Sequence, residues 1–152
     1  MSYRTATDVL KAHWDGKLPV DPAVIARAMG INVVECLLDH SGHYKFNDGK
    51  PSIQVNTFDP EVRKRFTLAH EIGHHVHGDI DAPRDTNEQF NSRSRDPREV
   101  AANRFAASLL MPAAVVKHLV FNKGVHSLSE LARTFGVSTA AMEFRLKNLG
   151  YL

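Results

Sequence analysis

Apolar side chains recur every three or four positions before residue 31 and in much of the chain after residue 59, while β-branched residues and turn signals dominate residues 31–56. The first pattern is typical of helices that pack on a core by one face, and the second of strands. In chain order we predict a helix over 7–14, a helix from 22 ending at 30, strands over 31–38, 43–46 and 52–56, a helix from 60 past 76, a helix from 97 to 111, a short helix to 120, and helices over 128–135 and 139–149.

The most regular apolar stripe belongs to the helix that begins at Asp59-Pro60, where Asp59 is the predicted cap. Its apolar residues are spaced by four, three, four and three positions: Val62, Phe66, Ala69, Gly73 and Val76. This spacing puts them on one core-facing side. A polar stretch from 78 to 96 follows, with almost no periodicity. Connections of this length often serve as lids or binding loops, so we expect residues 78–95 to gate a site.

The order of helices, a short run of strands and then more helices predicts an α+β fold. We expect a small three-stranded sheet packed against helices. The length of 152 residues fits one domain, residues 1–152, with a core that needs no disulfide. Residues 126–152 are predicted to form a helical hairpin, similar to a helix-turn-helix, packed on that domain.

Composition narrows the class of protein. The apolar share of 43% and the charged share of 24% are those of a globular domain. No apolar run reaches about 18 residues and the N-terminus lacks a secretory signal, so we expect a cytoplasmic protein without a membrane span. The single cysteine, Cys36, is expected to be a buried thiol. A net charge of +2 is too small to indicate nucleic-acid binding.

Histidine is the unusual component: nine are present, and four fall within residues 70–77. His70 and His74 lie one helical turn apart on the same face, so both imidazoles can bind one metal ion. Glu71 lies about 100° round the helix axis, where it can reach a metal-bound water without being a ligand. The His-Glu-x-x-His spacing therefore predicts one Zn²⁺ with Glu71 as catalytic base, although a helix with solvated histidines remains an alternative.

A catalytic zinc needs a third protein ligand and an open position for water. His77 shares the face of the pair but stands about 10 Å along the helix from His70, too far to bind the same ion. Glu99, at the start of the next predicted helix, is our candidate, and Asn103 one turn later could hold the free N–H of a ligand histidine. The same spacing also fits a capping box between Asp96 and Glu99, which needs no metal.

Residues 65–74 read Arg-Phe-Thr-Leu-Ala-His-Glu-Ile-Gly-His, and residues 99–112 read Glu-Val-Ala-Ala-Asn-Arg-Phe-Ala-Ala-Ser-Leu-Leu-Met-Pro. These two segments resemble the ImmA/IrrE family of metallo-endopeptidases. The tail, residues 131–138 and 145–150, is also similar to short family members. The resemblance implies a zincin-like fold with the glutamate at the position of Glu99 as third ligand. Family members often carry a second acidic residue at the position of Ala101, and its absence leaves Glu99 as the acidic candidate.

The resemblance also implies a substrate. Short members of the family act beside phage-type repressors, so the expected activity is zinc-dependent endoproteolysis of a helix-turn-helix transcriptional repressor. Zincin substrates often pair with an edge strand beside the metal, and residues 52–56 are the candidate strand. An oxyanion-stabilising residue is not identified by the sequence; the candidates are Tyr44, His77, His118 and His126.

Two other functions remain open. The first is a regulator that binds DNA or protein through residues 131–149, although Arg145 and Lys147 are the only cations that its second helix offers to a phosphate backbone. The second is a metal-binding protein without peptidase activity, such as one partner of a toxin–antitoxin pair.

Overall fold

The computed structural model describes residues 3–79 and 96–152. The predicted alternation of helices and strands is confirmed, with most boundaries within two residues. The elements are α1 (Ala6–His13), α2 (Pro22–Ala28), β1 (Asn32–Cys36), β2 (Gly42–Asn47), β3 (Lys50–Asn56), α3 (Glu61–His77), α4 (Pro97–Leu110), α5 (Ala113–Lys117) followed by a π-helical turn (His118–Asn122), α6 (Leu128–Phe135) and α7 (Thr139–Asn148).

Side-chain caps explain where several helices begin. At α2, α4, α6 and α7, a side-chain oxygen of the residue before the helix accepts a hydrogen bond from a backbone N–H of the first turn. These cap residues are Asp21 for α2, Asp96 for α4, Ser127 for α6 and Ser138 for α7. The predicted cap of α3 by Asp59 is wrong, because Pro60 precedes this helix and no side-chain cap is formed. Burial of its central residues, 66–74, stabilises α3 instead.

The sheet has the order β1-β3-β2, with β3 parallel to β1 and antiparallel to β2. The prediction that residues 52–56 form an edge strand is therefore wrong. Ile53 and Val55 of β3 are buried, whereas the second half of β2, from Lys45, is exposed. A strand with buried apolar side chains suits the centre of a sheet, and one with an exposed lysine suits its edge. In the described part of the chain, β2 is the edge strand that contacts α3.

Helix α3 lies between the sheet and α4. Buried Tyr44 and Ile53 lie on the sheet face that packs on α3, and α4 packs along α3 with Phe105 against Gly73. The result is a mixed α+β structure with a small three-stranded sheet, as predicted, and it is consistent with a zincin-like domain. Because α3 is covered from both sides, its middle turns are removed from solvent.

The C-terminal helices α6 and α7 contact each other and are connected to the rest of the chain by hydrogen bonds of two half-buried arginines. Arg65 of α3 donates hydrogen bonds to the carbonyl oxygens of Phe135 and Gly136, and Arg145 of α7 donates to that of Met111. Burial lowers the pKa of both guanidinium groups. Arg145 is thus directed into the protein.

Within residues 3–79 and 96–152, no single helix has the length and apolar character needed to cross a membrane; α4 and the segment 113–122 meet the criterion only as a pair bent by 53°. Cys36, expected to be buried, is half-buried on β1.

Candidate metal centre

Three buried side chains from two helices meet between α3 and α4. His70 and His74 project from successive turns of α3, and their Nε2 atoms are 3.2 Å apart. Glu99, in the first turn of α4, directs one carboxylate oxygen to each ring, at 2.7 Å from His70 Nε2 and 3.0 Å from His74 Nε2. One ligand atom from each of these residues lies within 4.8 Å of the other two, which makes this the candidate metal-binding group among the described residues.

The separations between these donor atoms fit a zinc ion. Zinc binds imidazole nitrogen and carboxylate oxygen at about 2.0–2.2 Å in a tetrahedron, which places two ligand atoms about 3.3–3.5 Å apart. The observed separations of 2.7–3.2 Å are shorter, by about 0.1 Å between the two histidines and by up to about 0.8 Å between His70 and Glu99. A small outward movement of the three side chains therefore makes room for the ion and leaves a fourth position open.

The outer nitrogen of each histidine ring has its own acceptor. His70 Nδ1 is 2.7 Å from Asn103 Oδ1, the contact expected for that asparagine. His74 Nδ1 is 3.1 Å from Asp79 Oδ2, a contact that our reading of the sequence missed. In each pair the ring N–H donates to the side-chain oxygen, which leaves Nε2 facing Glu99. The sequence feature that could have indicated this contact is an acidic residue directly after Gly78, the glycine that ends the helix.

Glu99 is not used as a helix cap. Asp96 caps α4 through the N–H of Arg98, while the Glu99 carboxylate is 1% exposed and turned toward the histidines. Burial opposes ionisation of Glu99, yet hydrogen bonds and charge interactions with His70 and His74 lower its pKa to about 2. Burial also opposes the charged form of His74, but Glu99, Glu71 and Asp79 together raise its pKa. The ionised carboxylate and the histidines therefore stabilise each other, and the space between them favours a positive charge.

Glu71 is buried on α3 beside the sheet. Its Oε1 atom has no hydrogen-bond partner among the described residues, which is costly for a carboxylate and indicates a ligand or water that the site is built to receive. Its other oxygen, Oε2, lies 3.5 Å from the position that a Cβ on Gly42 would take. The edge strand β2 therefore approaches Glu71 directly, and a side chain at residue 42 would fill that approach.

The other candidates named from the sequence have contacts or positions of their own. Tyr44 OH lies 2.7 Å from His75 Nδ1, and the His77 ring packs edge-on against Phe105. His118 and His126 are exposed. Of the proposed gating segment, residues 80–95 lie outside the described part of the chain.

Comparison with known proteins agrees with this arrangement. Residues 26–147 match the peptidase family M78, described as IrrE N-terminal-like domain. The chain is 37% identical over 98 residues to the radiation response metalloprotease IrrE of Deinococcus deserti, and 35% identical over 98 residues to that of Deinococcus radiodurans. Each alignment covers 62% of this chain, but only 35% and 30% of those relatives, so the chain spans about a third of their length.

A shorter relative matches over more of its own length. The uncharacterized immunity region protein 2 of Bacillus phage phi105 is 31% identical over 120 residues, which are 77% of this chain and 73% of the phage protein. Together with the family match over most of the chain and the buried His-His-Glu group, these similarities lead to one assignment. The chain belongs to the ImmA/IrrE family of metallopeptidases.

Proposed function

We propose that this protein is a zinc-dependent endopeptidase in which His70, His74 and Glu99 hold one Zn²⁺ and Glu71 is the catalytic base. The observation that carries the proposal is the convergence of three buried donor atoms beside a buried carboxylate whose Oε1 lacks a partner in the described residues. The contacts of Arg65 and Arg145 with distant segments support treating residues 1–152 as one domain, with α6 and α7 as a hairpin packed on it.

The arrangement accounts for peptide hydrolysis. A bound zinc ion supplies a Lewis acid that polarises the peptide carbonyl and lowers the pKa of water to about 7. Glu71 accepts a proton from the attacking water and delivers it to the nitrogen of the leaving amine as the C–N bond breaks. Asn103 Oδ1 accepts a hydrogen bond from the Nδ1–H of His70, so that Nε2 of this ring stays directed into the site. Burial protects the proton transfer from bulk solvent.

The edge strand β2 replaces residues 52–56 as the candidate for pairing with the substrate backbone. It lies at the edge of the described sheet, and Gly42 brings it against Thr67 and Glu71 of α3. An extended peptide added beside β2 would run past Glu71, since strand addition places its backbone about 4.8 Å away. Central strand β3 has no such open side, because β1 and β2 both pair with it.

The proposed substrate is a helix-turn-helix transcriptional repressor encoded beside the gene of this protein. The support is the resemblance to short family members and the 31% identity to a phage immunity region protein. The decisive comparison is incubation of that repressor with wild-type protein, with Glu71→Gln, and with Glu61→Gln as a control on the same helix. Glu61 is exposed in the first turn of α3.

We expect cleavage by the wild type and by Glu61→Gln, no cleavage by Glu71→Gln, and equal zinc content in all three. Cleavage by Glu71→Gln would remove this residue from the mechanism. Zinc binding without cleavage of any repressor would favour the alternative of a non-proteolytic metal-binding regulator.

A DNA-binding function is the other alternative, and the cations of α7 argue against it. Arg145 is directed inward to Met111, and Lys147 lies 3.7 Å from Glu143 one turn away. Neither guanidinium nor ammonium group is presented without a partner to a phosphate backbone. Sequence-independent DNA binding that weakens steeply with salt in a gel-shift assay would revive this alternative.

A further inference from the structure

The turn that ends α3 holds His74 in two ways. Gly78 adopts a left-handed conformation (φ 74°), and the N–H of Asp79 then donates to the carbonyl oxygen of His74 at 2.9 Å. This is the hydrogen bond typical of a glycine-terminated helix. It brings the Asp79 side chain back over the last turn, where Oδ2 lies 3.1 Å from His74 Nδ1. Backbone and carboxylate of one residue therefore contact the same histidine.

The carboxylate of Asp79 is largely buried, with 13% of the side chain exposed. Within the described part of the chain, His77 is its only other ionisable contact, at 4.0 Å. The nearby guanidinium of Arg98 pairs with Asp96 instead. A buried carboxylate needs a donor or a positive charge close by, and the His74 ring is the group that supplies it.

The two histidines therefore differ in their supports. His70 donates to the neutral amide oxygen of Asn103, and His74 donates to the carboxylate of Asp79. A carboxylate acceptor fixes the ring and makes the opposite nitrogen a stronger donor to a metal. An amide oxygen fixes the ring without adding charge. His74 is thus the histidine whose metal-binding nitrogen gains most from its partner.

We propose that Asp79 is a positioning residue of the metal centre, which holds the His74 ring with Nε2 toward the ion and strengthens its binding of a divalent cation. This inference rests on the proposed metal site, and on the geometry of the Gly78–Asp79 turn. Asp79 is not one of the three proposed ligands; it acts through His74.

The test measures zinc affinity of the full-length protein by competition with a chelating indicator, and the absorption spectrum of the cobalt(II)-loaded protein. We expect Asp79→Ala to lower zinc affinity by about 10–100-fold, the usual cost of losing such a partner. Asp79→Asn should fall between wild type and Asp79→Ala, because its amide oxygen can still accept the ring N–H. Its cobalt spectrum should differ from that of the wild type, since the ligand nitrogen has lost its carboxylate partner.

Asp96→Asn is the matched control, since asparagine can also cap α4 and one nearby negative charge is removed without touching a ligand histidine. Its zinc affinity should stay within about twofold of wild type. Wild-type zinc affinity in Asp79→Ala and Asp79→Asn, with unchanged cobalt spectra, would overturn the inference. Absence of zinc binding by the wild-type protein would instead refute the proposed function, so the two failures are distinguishable.

A second pair of variants tests whether the left-handed turn at Gly78 holds His74. Gly78→Ala and Gly30→Ala each place an alanine at positive φ where no atom lies within 4 Å of the added Cβ, so both carry the same kind of backbone strain. We expect similar losses in thermal stability of the metal-free proteins, but reduced zinc affinity in Gly78→Ala alone. Equal zinc affinities in these two variants would show that the turn does not control His74.

Discussion

Replacing Gly73 with alanine would add a methyl group between the two helices that supply the candidate ligands. A Cβ at this position would lie 3.1 Å from Cβ and Cδ1 of Phe105 and 3.2 Å from its Cγ. Carbon atoms in favourable contact are about 3.5–4.0 Å apart. Rotation of the Phe105 ring can relieve the contacts with the ring atoms, but its Cβ is fixed to the backbone of α4. We therefore expect α3 and α4 to separate by about 0.4 Å or more at this point.

Two opposing effects set the change in stability. Overpacking of this kind costs about 1–3 kcal/mol, and the better helix propensity of alanine returns about 1 kcal/mol. The metal-free protein should thus lose up to about 2 kcal/mol of unfolding free energy. Zinc binding should suffer more, since ligand distances tolerate only about 0.2 Å. The movement that admits the ion is a movement of the three side chains at the native spacing of the helices. If the ion must also draw the separated helices back to that spacing, against about 1–3 kcal/mol of strain, zinc affinity falls about 5–150-fold.

Competition with a chelating indicator measures the zinc affinity, and denaturant unfolding in excess chelator measures the stability. Gly150→Ala is the control for zinc affinity, because no atom lies within 4 Å of the new Cβ, although its positive φ of 80° strains the alanine and lowers stability on its own. This control should bind zinc like the wild type. Wild-type zinc affinity in Gly73→Ala would refute the reasoning that the spacing of α3 and α4 determines the metal site.

Three further predictions follow from the same contacts. A wild-type sample with free zinc at about 1,000 times its dissociation constant should lose about 4 kcal/mol of stability when a chelator removes the zinc. In a thermal-shift assay this lowers Tm by about 8–16 °C. The same addition of chelator should change the Tm of Glu99→Ala little. In the metal-free protein the pKa of Glu99 is lowered from an ordinary 4.5 to about 2, so the ionised carboxylate contributes stability above pH 4.5 that is lost as pH falls toward 2. Denaturant titrations across this window should show a loss of at most about 3 kcal/mol in unfolding free energy. The difference between wild type and Glu99→Gln gives the contribution of Glu99. In Gly42→Ala the new Cβ would overlap Thr67 Cγ2 and lie 3.1 Å from the carbonyl oxygen of Gln54. Strand β2 should therefore move away from Glu71, and peptidase activity should fall while zinc content stays unchanged. Full activity in this variant would argue against β2 as the substrate strand.

Local signals predicted the helices and part of the site, because they depend on residues close together in sequence. The apolar stripe of α3 was sufficient to place His70, Glu71 and His74 on one helix, although its predicted cap was wrong. The pairing of Glu99 with them across 25 positions was not decided by spacing, since a capping box with Asp96 fitted equally well. Only the packing of α4 on α3 turns the Glu99 carboxylate toward the histidines.

The order of strands depends on contacts between distant segments, which local patterns do not encode. Residues 52–56 were predicted to be an edge strand, yet β3 lies in the centre, because β1 pairs with one side of it and β2 with the other. Asp79 was missed for a related reason. Its position follows from the left-handed conformation of Gly78, which reverses the chain and returns the carboxylate to His74.

The central claim is that His70, His74 and Glu99 bind one zinc ion. Anomalous diffraction at the zinc absorption edge, from crystals of the zinc-loaded protein, tests it most directly. The account predicts a single peak at about 2.0–2.2 Å from the Nε2 atoms of both histidines and from a carboxylate oxygen of Glu99. A peak without Glu99 in contact, a peak elsewhere on the chain, or no peak at saturating zinc would contradict it.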